Sequence, residues 1–134
     1  MRDGITLSAD LVLPRQLPAP SVVIRTPYGK AGERQSRRNT ALAEAGYVAV
    51  IADVRGRGDS EGIFQPYRND GPDGADVIAW AAAQDWCTGD VATYGGSYGG
   101  RMPQFTEDVE VALQRLQGVG GACGAGRAGL AARG

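Results

Sequence analysis

Hydrophobic and polar residues follow a strand-like pattern over four stretches of the first hundred positions. Residues 5–13 alternate apolar with polar side chains, which predicts a strand with one buried face. Residues 21–25 and 47–53 are short, mostly apolar runs, typical of interior strands that are covered on both faces. Residues 91–94 are rich in residues that favour strands and predict a fourth one. The prolines within residues 14–20 predict a stiff loop between the first two strands.

A first helix is predicted over residues 33–45. Leu42 lies on its narrow apolar stripe, and the spacing places Arg37 and Arg38 towards solvent. Gly46 follows the last periodic residue, which is where a glycine ends a helix.

A second helix is predicted from about residue 73 to residue 83. Val77, Ile78 and Ala81 share one face of this helix. Acidic residues lie in its first turn, where the positive end of the helix dipole stabilises negative charge. Residues 85–90 are interpreted as a turn into the last strand. Because helices alternate with buried strands, the pattern predicts an α/β fold with a mainly parallel sheet.

The segment Gly95-Gly96-Ser97-Tyr98-Gly99 directly follows the last predicted strand and has the form G-x-S-x-G. In a nucleophile elbow, the chain leaves a strand, makes a tight turn and enters a helix, so that the serine hydroxyl is exposed above the sheet. The flanking glycines allow neighbouring backbone to approach closely. The chain has 21 glycines, so the pattern could also arise by chance. The strand in front of it favours the catalytic interpretation.

Composition and charge are those of a soluble globular chain. The 134 residues are 43% hydrophobic and 22% charged, with a net charge of −1, which favours neither nucleic acid nor an anionic membrane as partner. Cys87 and Cys123 lack metal-ligand spacing, and Cys87 is interpreted as a packed thiol. We expect a cytoplasmic protein with no cofactor and no metal.

Four blocks of residues, one of which contains the G-x-S-x-G segment, occur in an order that resembles one enzyme family. They are Met1-Arg2-Asp3-Gly4-Ile5 with Ala9-Asp10, Arg25-Thr26-Pro27-Tyr28-Gly29-Lys30, the loop from Asp53-Val54-Arg55-Gly56 to Asp59-Ser60-Glu61-Gly62, and Tyr94-Gly95-Gly96-Ser97-Tyr98-Gly99-Gly100. Together they resemble the CocE/NonD family of serine hydrolases, whose wider group includes the X-Pro dipeptidyl-peptidases. The resemblance covers residues 1 to about 100 and implies an α/β-hydrolase fold.

The resemblance also implies roles for three residues. Ser97 matches the nucleophile that forms the acyl-enzyme. The backbone N–H of Tyr98 matches one oxyanion-hole donor, and the hydroxyl of Tyr28 matches the other. The implied substrates are small-molecule esters, amides or peptides. The position of Tyr28 after the second strand also agrees with the loop that supplies an oxyanion donor in α/β-hydrolases.

The general base of such an enzyme is missing from the sequence. Serine needs an adjacent base to take its proton, and in α/β-hydrolases the acid and the histidine follow the serine along the chain. The chain contains no histidine, and the acids after Ser97 are Glu107, Asp108 and Glu110. Lys30, the sole lysine, lies in the Tyr28 block and is a poor candidate for a substitute base.

The resemblance weakens after residue 100. Pro103 falls where the helix after the elbow should begin, and proline inside a helix costs about 3 kcal/mol. We therefore expect residues 1–117 to be a partial α/β-hydrolase domain, truncated after the elbow. Residues 118–134 are almost entirely Gly, Ala and Arg, which predicts a disordered tail and suggests the hypothesis of a shifted reading frame in GC-rich DNA.

Two hypotheses follow. In the first, the chain is the N-terminal part of a serine acyl hydrolase that acts through Ser97 but is inactive in isolation. In the second, it is a non-catalytic, truncated or frameshifted remnant.

Overall fold

The computed structural model describes residues 1–95 of the chain. Within them, a four-stranded sheet is combined with two helices. In chain order the elements are β1 (Ala9–Val12), β2 (Ala19–Thr26), α1 (Glu33–Glu44), β3 (Val48–Asp53), α2 (Asp70–Ala82) and β4 (Cys87–Thr93). Residues 96–134, which include Ser97, Tyr98 and the predicted tail, lie outside the described part.

The sheet has the strand order β1-β3-β2-β4. The central strand β2 is parallel to β3 on one side and to β4 on the other, whereas β1 is antiparallel to β3. The predicted α/β fold with a mainly parallel sheet is therefore confirmed. Because three parallel strands run the same way, their carboxyl ends meet at one edge of the sheet, where α/β proteins usually bind ligands.

The core lies on both faces of the sheet. On one face, Val23 and Val50 pack with Val77 of α2, and on the other, Ile24 and Ile51 pack with Leu42 of α1. All six residues of β3 are buried, as expected for an interior strand covered on both sides. None of the helices within residues 1–95 is long and apolar enough to cross a membrane.

Helix α1 ends as the sequence indicates. Gly46 has φ of 90°, and its N–H donates to the carbonyl oxygen of Ala43 at 3.0 Å. The next N–H, from Tyr47, donates to the carbonyl of Leu42 at 3.0 Å. The left-handed glycine thus satisfies the last helical carbonyls and turns the chain into β3.

The predicted first strand is too long. Only Ala9–Val12 forms β1, because the preceding backbone binds the loop after β3 instead. The N–H of Thr6 donates to the Glu61 carboxylate at 2.9 Å, and the N–H of Glu61 donates to the Thr6 carbonyl at 3.0 Å. The predicted buried face is also wrong at Leu11 and Leu13, whose side chains are exposed.

Three other boundaries differ from the sequence prediction. Strand β2 begins at Ala19 and includes a proline that was assigned to the loop, and α2 begins at Asp70 rather than at residue 73. Strand β4 begins at Cys87, within the predicted turn, and its pairing with β2 contains an irregularity near Ala19. An irregularity of this kind interrupts the alternation of apolar and polar residues, from which the start of a strand is predicted. Cys87 itself is buried, as predicted for a packed thiol.

Candidate active site

The loops that leave the three parallel strands lie at the carboxyl edge of the sheet. Strand β2 ends at Thr26, two residues before Tyr28; β3 ends at Asp53; and β4 ends at Thr93, four residues before Ser97. The fold therefore directs the segment that leads to Ser97 to the same edge as Tyr28. Ser97 and Tyr98 themselves lie outside the described residues.

Tyr28 stands in the open at this edge. Its side chain is 72% exposed, and its backbone N–H donates to the hydroxyl of Thr26 at 3.1 Å. Gly29 follows with φ of 93°, a left-handed conformation that glycine adopts without a Cβ clash. The phenol of Tyr28 is thus presented to solvent by its backbone turn.

A cleft of about 390 Å³ joins Tyr28 to the end of the described chain. Tyr28 and Gly95 both line it, together with Arg34 and Arg38 of α1. Since Gly95 is two residues before Ser97, the cleft reaches from the predicted oxyanion donor to the entry of the predicted elbow.

Tyr94 fixes the chain just before the elbow. Its N–H donates to the carbonyl of Val23 at 3.0 Å, which continues the pairing of β4 with β2. The guanidinium carbon of Arg38 lies 5.4 Å from the centre of the Tyr94 ring, a distance typical of a cation–π contact. The prediction that Arg38 points into solvent is therefore wrong, because the residue is half-buried and its Nε is enclosed. Arg37 is exposed, as predicted.

Lys30 lies among three carboxylates. Its ammonium nitrogen is 2.7 Å from Asp59, 3.6 Å from Asp10 and 3.8 Å from Asp53. The hydrogen bond to Asp59 raises the pKa of Lys30 above its ordinary value and lowers that of the Asp59 carboxyl. Because the carboxylates favour its protonated form, Lys30 is poorly suited to act as a base.

The sequence interpretation missed the pairing of Lys30 with Asp59. The two residues are 29 positions apart, so local spacing gives no sign of their contact. A signal was nevertheless present, since each lies in a loop that follows a buried, parallel strand. Such loops meet at one edge of the sheet.

The loop after β3 (residues 54–62) is held by hydrogen bonds from several directions. The hydroxyl of Ser60 donates to the carbonyl of Asp53 at 2.8 Å and accepts from the N–H of Ser8 at 2.9 Å. The N–H of Val54 donates to the carbonyl of Thr26 at 3.0 Å. This loop therefore forms a fixed wall beside the residues that carry Tyr28.

Comparison with known proteins identifies the family of this chain. Residues 3–110 match the family described as X-Pro dipeptidyl-peptidase (S15 family). The chain is also 40% identical over 103 residues to the cocaine esterase of Rhodococcus sp. (strain MB1 Bresler). This alignment covers 73% of the chain and 18% of that esterase. The chain thus belongs to the X-Pro dipeptidyl-peptidase family and carries an N-terminal portion of the CocE/NonD type, a class of hydrolase.

Solved structures support the same fold. An α-amino acid ester hydrolase superposes with a TM-score of 0.70 at 29% identity, over 78% of this chain and 21% of that one. A CocE/NonD family hydrolase from Staphylococcus aureus superposes with a TM-score of 0.67 at 27% identity, over 78% of this chain and 23% of its own. The architecture is therefore of the α/β-hydrolase type. The chain spans about a fifth of the length of the relatives that it matches.

Proposed function

We propose that this chain carries the nucleophile and the oxyanion hole of a serine hydrolase that cleaves acyl ester or amide bonds. The observation that carries the proposal is the placement of Tyr28, whose exposed side chain lines the same cleft as Gly95. This placement supports the proposal, because a tyrosine hydroxyl near a catalytic serine can donate to an oxygen atom that develops negative charge.

In the proposed mechanism, the hydroxyl oxygen of Ser97 attacks the carbonyl carbon of the substrate. The hydroxyl of Tyr28 and the backbone N–H of Tyr98 donate hydrogen bonds to the resulting oxyanion. A general base supplied from outside the chain, such as imidazole, accepts the Ser97 proton during the attack and donates it to the leaving group. Collapse of the tetrahedral intermediate then breaks the bond to the leaving group, expels the alcohol or amine and leaves the acyl group on Ser97. Water attacks this acyl-enzyme and gives a proton to the same base, which returns it to the Ser97 oxygen as the acid is released. Each oxyanion donor contributes about 10²- to 10³-fold to the rate in hydrolases of this kind.

The substrate class follows from the relatives. Both the cocaine esterase and the α-amino acid ester hydrolase are named for esters, and the family is named for a peptidase. We therefore propose small-molecule esters, amides or short peptides as substrates.

The isolated chain is proposed to be inactive under ordinary conditions. Its 134 residues contain no histidine, and Lys30, its sole lysine, is bound to Asp59. The chain thus lacks the histidine that takes the serine proton in α/β-hydrolases. This absence also supports the alternative function, a non-catalytic remnant in which Ser97 never reacts.

Exogenous imidazole separates the two functions. Hydrolysis of a p-nitrophenyl ester is measured for the chain and for Ser97→Ala over a range of imidazole concentrations. The proposal predicts that imidazole, acting as the missing base, supports turnover by the chain above the rate of imidazole with Ser97→Ala. Equal rates for the two proteins would support the remnant and contradict the hydrolase.

A further inference from the structure

Lys30 is two residues from Tyr28, and its side chain is almost enclosed. Only 9% of the side chain is exposed, although Tyr28 in the same loop is 72% exposed. Burial of an ammonium is unfavourable unless opposite charges and hydrogen bonds compensate for the loss of water. A surface loop that buries its lysine therefore needs a partner for that charge.

The partners come from three different elements. Asp59 belongs to the loop after β3 and accepts the hydrogen bond at 2.7 Å, while Asp10 lies on β1 and Asp53 at the end of β3. Asp59 and Asp10 are 78% and 56% exposed, whereas Asp53 is 2% exposed. The Lys30 ammonium thus joins the Tyr28 loop (residues 26–30) to β1, to the end of β3 and to the loop after β3.

The loop after β3 also encloses the Asp53 carboxylate. A Cβ on Gly58 would lie 2.0 Å from Oδ2 of Asp53, so the loop after β3 closes directly on the carboxylate that faces Lys30. Gly58 has φ of 54°, which glycine favours. The ammonium therefore lies 3.8 Å from a buried carboxylate against which the backbone of Gly58 packs closely.

The phenol of Tyr28 has no comparable attachment. Among residues 1–95, no hydrogen bond, ion pair or ring contact involves its side chain, and the loop is bonded at Tyr28 through the backbone N–H to Thr26. The backbone of the loop consequently sets the position from which the phenol extends. Lys30 is the side chain that ties the far end of that loop to the sheet.

We propose that Lys30 is a positioning residue, which fixes the Tyr28 loop by binding Asp59, Asp53 and Asp10 and thereby holds the Tyr28 hydroxyl in place for the oxyanion. This inference rests on the proposed function. Oxyanion donors act through preorganisation, and a displacement of about 1 Å near reacting atoms can lower a rate about 100-fold. The bonded state persists at neutral pH, because the raised pKa of Lys30 and the lowered pKa of Asp59 keep both groups charged.

Amide hydrogen exchange tests the anchoring without any need for activity. Lys30→Met keeps the apolar stem and removes the charge, Lys30→Arg restores a cation, and Arg37→Met on α1 is a control that removes a cation paired with Glu33. We expect exchange of residues 27–31 to accelerate on the order of tenfold in Lys30→Met, to recover in Lys30→Arg and to be unchanged in Arg37→Met. Unchanged exchange in Lys30→Met, or acceleration that Lys30→Arg does not reverse, would overturn the proposal.

A second variant covers the case in which Lys30→Met fails to fold. Asp59 is 78% exposed, so Asp59→Ala removes the shortest bond to Lys30 and leaves the ammonium beside Asp10 and Asp53. The same acceleration over residues 27–31 is expected, and its absence would contradict the anchoring.

Kinetics then test whether the anchoring acts through Tyr28. With imidazole as base, Lys30→Met is expected to lower kcat about tenfold or more at nearly constant KM, and to have no further effect in a Tyr28→Phe background. An equal loss in both backgrounds would overturn positioning through Tyr28. If Tyr28→Phe alone is without effect, the oxyanion assignment in the proposed function fails, while exchange still decides the anchoring.

Discussion

The carboxylate of Asp73 accepts two hydrogen bonds from Arg55, from Nε at 3.0 Å and from Nη2 at 2.6 Å. The Asp73 side chain is 2% exposed and that of Arg55 is 13% exposed, so the pair is largely removed from water. Two parallel bonds of this kind fix the mutual orientation of the two groups as well as their distance. The pair connects α2 to the loop after β3 and holds one wall of the candidate site.

Loss of Asp73 should therefore destabilise the protein strongly. Asp73→Ala leaves the Arg55 guanidinium partly buried with Asp3 as its remaining carboxylate partner, and we expect a loss of about 3 kcal/mol in the free energy of unfolding. Urea unfolding, followed by tryptophan fluorescence, measures the change.

Asp76→Ala, on the same helix, is the matched control. Asp76 pairs with Arg2, which is 52% exposed, and the expected loss is at most about 1 kcal/mol. If both variants lost the same free energy of unfolding, the burial of the Asp73–Arg55 pair would not be the reason for its contribution to stability.

Gly58 should tolerate alanine poorly. The added Cβ would meet the Asp53 carboxylate at 2.0 Å, and φ of 54° already disfavours an L side chain. We expect Gly58→Ala to cost about 2–4 kcal/mol in the free energy of unfolding.

Gly4 separates the two causes of that loss. Its φ is 84°, but a Cβ there meets nothing within 4 Å, so Gly4→Ala should cost only about 1 kcal/mol for the backbone conformation. A Gly58→Ala variant as stable as Gly4→Ala would contradict the close approach of Gly58 to Asp53.

Stability should fall in acid. Hydrogen bonds from Arg55, Lys30 and Arg2 lower the pKa of Asp3, Asp59 and Asp76, respectively, below the ordinary value of 3.8. Each carboxyl is therefore more acidic in the folded than in the unfolded protein. The contribution of each carboxylate to the free energy of unfolding is fully present above the unfolded pKa of 3.8. It is lost as the pH falls through the lower pKa that the same carboxyl has in the folded protein.

The urea midpoint measured from about pH 6 down to about pH 2.5 tests this dependence. We expect the midpoint to decline in the acid part of that range, and Asp76→Asn to make the decline shallower. A midpoint that rises on acidification would contradict the lowered pKa values.

Tyr28→Phe tests the oxyanion assignment. Removal of the hydroxyl should reduce imidazole-supported ester hydrolysis about 10²- to 10³-fold, while the fold is unaffected because the ring is exposed. Tyr47→Phe is the control, since Tyr47 precedes β3 at the opposite edge of the sheet. Equal rates in the two variants would remove Tyr28 from the mechanism.

The sequence predicts the fold well because the strong signals are local. The apolar run that forms β3 and the glycine after α1 each determine their own structure, and both are confirmed. The ends of β1 and β4 were missed because long-range pairing determines them. Residues before β1 bind the loop after β3, and β4 begins opposite the start of β2.

The candidate site could be predicted only in part. The motif around Tyr28 is local, and it follows β2 at the carboxyl edge of the sheet. The ion pair of Lys30 with Asp59 joins loops that are far apart in sequence, and the contact of Arg38 with Tyr94 joins α1 to the segment after β4. Periodicity shows which face of a helix is apolar, but it cannot show which ring a charged side chain will cover.

The most direct test of the central claim is the reaction of Ser97 with a fluorophosphonate, followed by mass spectrometry of the intact and digested chain. The account predicts that the chain alone is labelled no faster than Ser97→Ala, and that imidazole produces one adduct, located on Ser97. Rapid labelling without imidazole that is lost in Ser97→Ala would show that the chain supplies its own base. A chain that remains unlabelled at Ser97 with imidazole would contradict the assignment of the nucleophile.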